Sequence, residues 1–169
     1  MKISIITVAL NAEHTIGDAL NSVASQSHTD IEHIVIDGAS TDGTMRVVNQ
    51  HRAGLSHIVS EPDSGIYDAM NKGLGLARGE VIGILNADDV YQDDSVLSQV
   101  AHAHKEKNID ACYADLVYVK PDSLQTVTRY WRSRNYTPGL CFRGWMPAHP
   151  TFFIKKHVYD KVGLFNTKL

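Results

Sequence analysis

Cysteine is scarce in this chain: two residues in 169, Cys112 and Cys141, with no Cys-x-x-Cys spacing. That excludes a disulfide framework and fits a reducing compartment. Charge of one sign is scarce too. Sixteen basic residues stand against nineteen acidic ones, for a formal charge of −3 and no block of five or six like charges. Nucleic-acid binding by counterion release is disfavoured on that ground, as is a polybasic membrane segment. Beyond the N-terminus the longest uninterrupted apolar run is residues 81–85, far short of the roughly 20 residues of a membrane span.

Several motifs are missing as well. There is no G-x-S-x-G elbow, no Walker lysine loop and no H-E-x-x-H pair. His102 and His104 fall two apart on a predicted helix and share no face. Gly73, Gly75 and Gly79 imitate a dinucleotide fingerprint, but they end a helix and precede a strand, the reverse of the required order. The loop after the first strand, residues 9–13, holds no glycine. A Rossmann dehydrogenase is therefore disfavoured.

What is present suits one globular domain: 43% hydrophobic and 21% charged residues, on a length that buries roughly 70% of the unfolded surface. Met1 and Lys2 before an apolar stretch resemble a short secretory leader. Ser4 and Thr7 interrupt that stretch and no small-x-small cleavage site follows, so the β-branched Ile3, Ile5, Ile6 and Val8 suit a buried strand better. Further short segments rich in apolar and β-branched residues, at 31–36, 56–60 and 81–85, read as strands. Helical spacing marks 15–25, 44–52, 66–78 and 94–104, with Ile66, Met70, Leu74 and Ala77 on one face of the third and Gly79 as its stop.

This alternation predicts an α/β fold, a mostly parallel sheet with helices on both faces. Ligands of such sheets bind outside the carboxyl ends of the strands. The loops at 37–43 and 86–89 both follow strand ends and are expected on one rim. After residue 104 the pattern changes. Residues 111–119 and 124–131 read as two strands joined at 120–123, residues 151–154 are apolar, and 155–162 is at most a short helix.

Asp88 and Asp89 are the sharpest chemical feature. Two carboxylates about 4 Å apart in a cleft repel by about 4 kcal/mol at an effective dielectric of 20. A hard divalent cation relieves this, Mg²⁺ or Mn²⁺ being held by one or two carboxylates plus substrate phosphates. The competing reading makes Asp88, Asp89, Asp93 or Asp94 a cap of the next helix, and Asp93-Asp94 fits that better. Asp37, at the end of the second strand and followed by small residues, can accept hydrogen bonds from a base or ribose. Thr41 and Asp42 read equally as caps of the helix at 44.

Five segments in order resemble an inverting family 2 glycosyltransferase of the GT-A fold. They are Ile5-Ile6-Thr7-Val8-Ala9-Leu10-Asn11; Ile34-Val35-Ile36-Asp37-Gly38-Ala39-Ser40-Thr41-Asp42-Gly43-Thr44; Ser60-Glu61-Pro62-Asp63-Ser64-Gly65-Ile66-Tyr67-Asp68-Ala69-Met70-Asn71-Lys72-Gly73; Leu85-Asn86-Ala87-Asp88-Asp89; and Ala148-His149-Pro150-Thr151-Phe152-Phe153. The set covers nearly the whole chain, and its order makes it specific where each piece alone is weak.

The resemblance implies a Rossmann-like sheet with a small antiparallel addition near the C-terminus. It implies a UDP- or GDP-sugar donor, a divalent metal (Mn²⁺ or Mg²⁺), and a saccharide or lipid-linked acceptor hydroxyl in surface polysaccharide or glycolipid synthesis. Donor contacts would come from Thr7, Ala9, Asn11, Asp37, Asp63, Lys72 and Asp88. Asp89 would hold the metal, and His149 would lie on the acceptor or diphosphate side. The family's carboxylate base lies downstream of its Gly-Leu-Phe element, here Gly163-Leu164-Phe165. No residue present matches it, so the base is expected beyond Leu169 and residues 1–169 are expected to be one domain lacking its C-terminal part. A cytoplasmic location follows, with room for peripheral contact at the inner face of the membrane. Two alternatives remain: a nucleotide-sugar-binding module without turnover, and a nucleotidyltransferase, which would normally show a glycine-rich basic loop after the first strand. Trp131, Trp145, Tyr130 and Phe142 read either as core or as a surface for a sugar or lipid carrier.

Overall fold

The computed structural model describes residues 1–120 and 123–168. Four strands, β1 (Ile3–Ala9), β2 (Ile31–Asp37), β3 (His57–Ser60) and β4 (Val81–Asn86), run parallel in the order β3-β2-β1-β4. The connecting helices are α1 (Ile16–Ala24), α2 (Thr44–Gln50) and α3 (Ile66–Leu76), and α4 (Val96–Lys107) follows β4. Successive residues of the strands feed opposite faces. Ile6, Val8, Ile34, Ile36, Ile82 and Ile84 pack against Met70, Leu74 and Ala77, in and just beyond α3. Ile3, Ile5, Val81 and Leu85 pack against Val23 of α1 and Leu97 and Val100 of α4. Each such apolar side chain, fully buried, contributes roughly 1.5–3 kcal/mol. Helices therefore cover both faces, as the alternation required.

The order reverses at β1, whose neighbours are β2 and β4. That is a topological switch point, where open α/β sheets form their crevice. The register sets Ala9 beside Asp37 and Val8 beside Asn86, so the ends of three strands meet on one rim.

The C-terminal third departs from the expected strands. The run at 111–119 divides into β5 (Ala111–Cys112) and β6 (Leu116–Lys120), because residues 114 and 115 bond elsewhere. The Ala114 N–H donates to Thr151 Oγ1 at 3.2 Å, and Asp115 Oδ1 accepts from the Ser133 N–H at 2.8 Å. β6 pairs antiparallel with β7 (Ser123–Trp131) as a separate two-stranded sheet. The turn expected between them falls partly on Pro121 and Asp122, which lie outside the described residues. The apolar residues near 151–154 form β8 (Phe153–Lys155), which inserts antiparallel between β4 and β5 at the edge of the main sheet. A short helix, α5 (Lys156–Val162), follows.

Two local expectations are corrected. Ile66 is half exposed and leaves the buried stripe of α3, which begins at Ala69 and Met70. Gly79 does not stop α3, which ends at Leu76 and is capped by Ala77 in an extended conformation. Gly79 is instead a close-approach residue: a Cβ there would lie 2.5 Å from the backbone nitrogen of Ser4. Its N–H donates to Ser4 Oγ at 2.8 Å, and that hydroxyl donates to Glu32 Oε2 at 2.6 Å. Burial pushes Glu32 up, but bonds from the Arg78 N–H and the Ser4 hydroxyl, with the charge of Lys2, hold it net below its ordinary value.

Candidate donor site at the switch point

The loop after β2 is built around Asp37, which is 0% exposed. Its carboxylate accepts from the Ser40 N–H at 3.1 Å, from the Ser40 hydroxyl, and from the Ser60 hydroxyl at 2.6 Å. One carboxylate thereby ties residue 40 to the end of β3. Ala39 takes a left-handed conformation (φ 62°) to make the turn. Asp42 closes the loop by accepting from the Thr44 hydroxyl and N–H and from the Glu13 N–H at 3.1 Å. These bonds hold its carboxyl below the ordinary range, the Thr44 hydroxyl contributing most. Asp42 lies one residue before the cap of α2, which is Gly43, so it braces the turn into the helix without capping it as expected.

The loop after β1 is sewn to the same turn. The Asn11 N–H donates to Ser40 Oγ at 2.8 Å, and Asn11 Oδ1 accepts from the Thr41 N–H at 2.9 Å. Asn11 is exposed and also left-handed (φ 51°), a conformation asparagine tolerates better than most residues. Ala9 is buried, and its carbonyl accepts from the Gly38 N–H at 2.9 Å. Thr7 lies below the rim, fully buried, with Oγ1 3.0 Å from His33 Nε2.

The third lip is the segment before α3. Asp63 Oδ1 accepts from the Gly65 N–H at 2.9 Å, and Asp68 Oδ2 accepts from the Ser64 N–H at 3.0 Å. Asp63 Oδ2 faces Gly38, 2.6 Å from where a Cβ of residue 38 would lie. The glycine lets this carboxylate approach the loop after β2. Lys72 does not point free into the crevice. Its ammonium donates to the Pro62 carbonyl at 2.8 Å and pairs with Glu61 at 2.9 Å. The Glu61 bond, reinforced by the charges of Asp68 and Asp63, raises its pKa.

The fourth lip is the end of β4. The Asp89 N–H donates to the Asn86 carbonyl at 3.1 Å, and Asn86 Nδ2 donates to Asp89 Oδ2 at 3.1 Å. Asp88 is exposed and Asp89 partly buried. Burial, and then the Asp88 charge, push the Asp89 carboxyl up, only partly offset by the Asn86 bond. Asn86 Oδ1 is buried without a hydrogen-bond partner. Asp93, by contrast, accepts from the Ser95 N–H and hydroxyl in the turn before α4, whose cap is Ser95 and not Asp93 or Asp94 as expected. Because β8 runs antiparallel to β4, the 3₁₀ turn His149–Thr151 packs against β4 and brings His149 toward the same end. The His149 residue stays exposed overall, while partial desolvation of its ring holds its pKa below the ordinary value.

The rim therefore gathers Asn11, the 37–42 loop, Asp63, Asp88, Asp89 and His149, with Thr7 and Ala9 beneath it and Lys72 bracing one lip. Sequence reasoning missed Ser40 and Ser60 as donors to Asp37. Their only signal was serine at the two places where β2 and β3 hand over to loops.

A divalent cation suits the end of β4 chemically. Two hard carboxylates lie adjacent, one destabilised in its charged form by burial and by the other, beside an unpartnered amide oxygen. Among the described residues no group of three His, Cys, Asp or Glu could hold a metal by itself. A cation here would complete its shell with non-protein oxygens, as Mg²⁺ and Mn²⁺ commonly do with phosphates.

The family model for glycosyl transferase family 2 matches residues 4–163. The chain belongs to that family. A PGL/p-HBAD biosynthesis glycosyltransferase of Mycobacterium bovis is 28% identical over 98% of this chain, which spans 63% of that relative's length. Residues 1–349 of S. aureus TarS superpose with a TM-score of 0.73 at 25% identity, covering all of this family 2 chain and 51% of that one. TarS has also been solved with UDP-GlcNAc. The mannosyltransferase PcManGT of Pyrobaculum calidifontis, solved with GDP-Man and Mn²⁺, gives a TM-score of 0.75 at 20% identity, covering 99% of this chain and 48% of that one. The family 2 fold here is GT-A, with its mostly parallel sheet and small antiparallel addition.

Proposed function

We propose that this chain is the donor-binding part of a metal-dependent, inverting glycosyltransferase. It takes a UDP- or GDP-sugar and serves transfer to a hydroxyl of a saccharide or lipid-linked acceptor in surface polysaccharide or glycolipid synthesis. The observation that carries this reading is the convergence, at one switch point of a family 2 fold, of the braced 37–42 loop, Asp63 and the Asp88-Asp89 pair. The nucleotide-sugar complexes of TarS and PcManGT support the donor class.

In this reading the nucleoside lies between Asn11, the 38–42 loop and Asp63. Asp37 acts through the loop it holds, since its own carboxylate is covered. Asp88 meets the ribose or sugar. Asp89 holds Mn²⁺ or Mg²⁺, which stabilises charge on the departing diphosphate. Lys72 keeps the Asp63 lip in place by anchoring Glu61 and the Pro62 carbonyl. His149 borders the acceptor side, the base comes from outside residues 1–169, and the site works in the cytoplasm.

Calorimetric titration of UDP and GDP, with and without Mn²⁺, tests this. Metal-dependent binding of one nucleotide, lost in Asp89→Ala, is expected. Binding of neither nucleotide in either condition refutes the reading. Sugar release or transfer above background by residues 1–169 would instead place the base within them.

A further inference from the structure

The β6–β7 hairpin and the segment that follows it carry an exposed surface that the donor site does not use. Residues 116–146 contain five basic residues and one acidic residue, whereas the other 138 residues contain eleven basic and eighteen acidic. The basic residues are spaced apart, so no polybasic block marks them in the sequence. Arg129 is held over the rings of Tyr118 and Trp131, at 5.3 and 5.6 Å. Arg134 lies 5.8 Å from the Trp145 ring, which Tyr136 and Tyr113 also contact. Beside these two arginine–aromatic groups the segment exposes further apolar side chains: Phe142 is 98% exposed, Met146 69% and Tyr130 67%.

We propose that this surface seats the protein on an anionic lipid membrane. Arginines that rest on aromatic faces keep their charged heads free for headgroup phosphates, while Phe142 and Met146 enter the acyl boundary. Tyrosine and tryptophan favour that interface because one end of each ring is apolar and the other wet. A positive patch on an otherwise acidic protein also orients it, since the remaining surface is repelled by the same lipids. The surface borders the rim: Met146 is three residues from His149, and Thr151 Oγ1 bonds the Ala114 carbonyl at 3.0 Å just before β6. Membrane seating would present the acceptor side of the crevice to a lipid-linked substrate. That purpose rests on the proposed function; the binding itself does not.

The chain's two tryptophans, Trp131 and Trp145, are the aromatic partners of Arg129 and Arg134 in this segment. Intrinsic fluorescence therefore reports on it directly, without nucleotide or acceptor. Vesicles of phosphatidylglycerol and phosphatidylcholine are expected to sediment the protein and shift its emission to the blue, with quenching by brominated acyl chains. Pure phosphatidylcholine vesicles are expected to do neither. Phe142→Ser with Met146→Ser, and separately Arg132→Gln with Arg143→Gln, should each weaken partitioning by about tenfold or more. All four side chains are exposed, and unchanged thermal unfolding would confirm that the variants fold. Failure to bind anionic vesicles overturns the proposal, as does binding that neither pair of substitutions weakens. A concentration-dependent blue shift without lipid, accompanied by dimerisation, overturns it in favour of a second copy covering the surface. Nucleotide titration of the same samples distinguishes loss of this surface from loss of the donor site.

Discussion

Asn71 and Phe165 bond each other in both directions across 94 residues of sequence. Asn71 Nδ2 donates to the Phe165 carbonyl at 2.9 Å, and the Phe165 N–H donates to Asn71 Oδ1 at 3.0 Å. A primary amide thus acts as a one-residue strand partner for the segment after α5. Tyr67 stacks on the Phe165 ring at 5.7 Å and Tyr159 meets it at 6.1 Å. Helix α3, whose N-terminus carries Asp63 and Gly65, is therefore also the anchor of residues 163–168.

Asn71→Ala removes both bonds and leaves two backbone groups short of partners, so a loss of about 1–3 kcal/mol is expected. Urea unfolding measures the loss, and limited proteolysis should show new cleavage near Phe165. Unchanged stability together with an unchanged digest would mean that the aromatic contacts alone hold the segment.

Gly38→Ala tests the closeness of the two loops. A methyl at residue 38 collides with the Asp63 carboxylate, which lies at the end of a short side chain and can swing aside. Stability should fall by less than about 1.5 kcal/mol, while nucleotide affinity falls by about tenfold or more as Asp63 leaves its place. Equal affinity in calorimetry would remove Asp63 from the donor site.

Gly79→Ala should behave in the opposite way. The new methyl meets backbone of β1 at Ser4, which cannot yield without disturbing the sheet. A loss of about 1–3 kcal/mol or more is expected in denaturant unfolding, with nucleotide affinity unchanged once folding is allowed for. A neutral result would show that β1 and the 77–80 connection tolerate separation.

His33 supplies a pH dependence. It is buried, and burial, with a smaller contribution from His51, pushes its pKa down to about 4. The unfolded chain takes up this proton near pH 6.5, which the folded protein refuses until about pH 4. Stability is therefore full above about 6.5 and declines as pH falls toward 4, by about 2 kcal/mol between pH 7 and pH 5. His104, lowered chiefly by its own burial, adds in the same direction. Urea midpoints of the wild type and His33→Gln across this range should diverge, the variant showing the shallower slope. Parallel slopes would place the titration elsewhere.

Much of the site was legible because local chemistry fixed it. Asp37 and Asp42 were visible as acids at a strand end and before a helix. Asp88-Asp89 was visible as a paired charge after a buried run. Their bonding was not visible. Asp37 was expected to meet a ligand, yet Ser40 and Ser60 cover it, and Ser60 arrives only through the pairing of β2 with β3. Lys72 read as a polar contact for the donor, but Glu61 and the Pro62 carbonyl take its ammonium because α3 turns that face toward its own preceding loop.

The sequence by itself determined the four parallel strands, the helices between them and the rim at their carboxyl ends, since short apolar segments rich in β-branched residues and helical spacing are local signals. Tertiary structure decided the rest. Whether β8 would insert beside β4, where β5 and β6 would part, and that Gly79 would serve Ser4 instead of ending a helix all depend on partners distant in sequence. So does the setting of Arg129 and Arg134 over aromatic rings. A strand's partner and a glycine's neighbour are properties of packing, and no window of local sequence contains them.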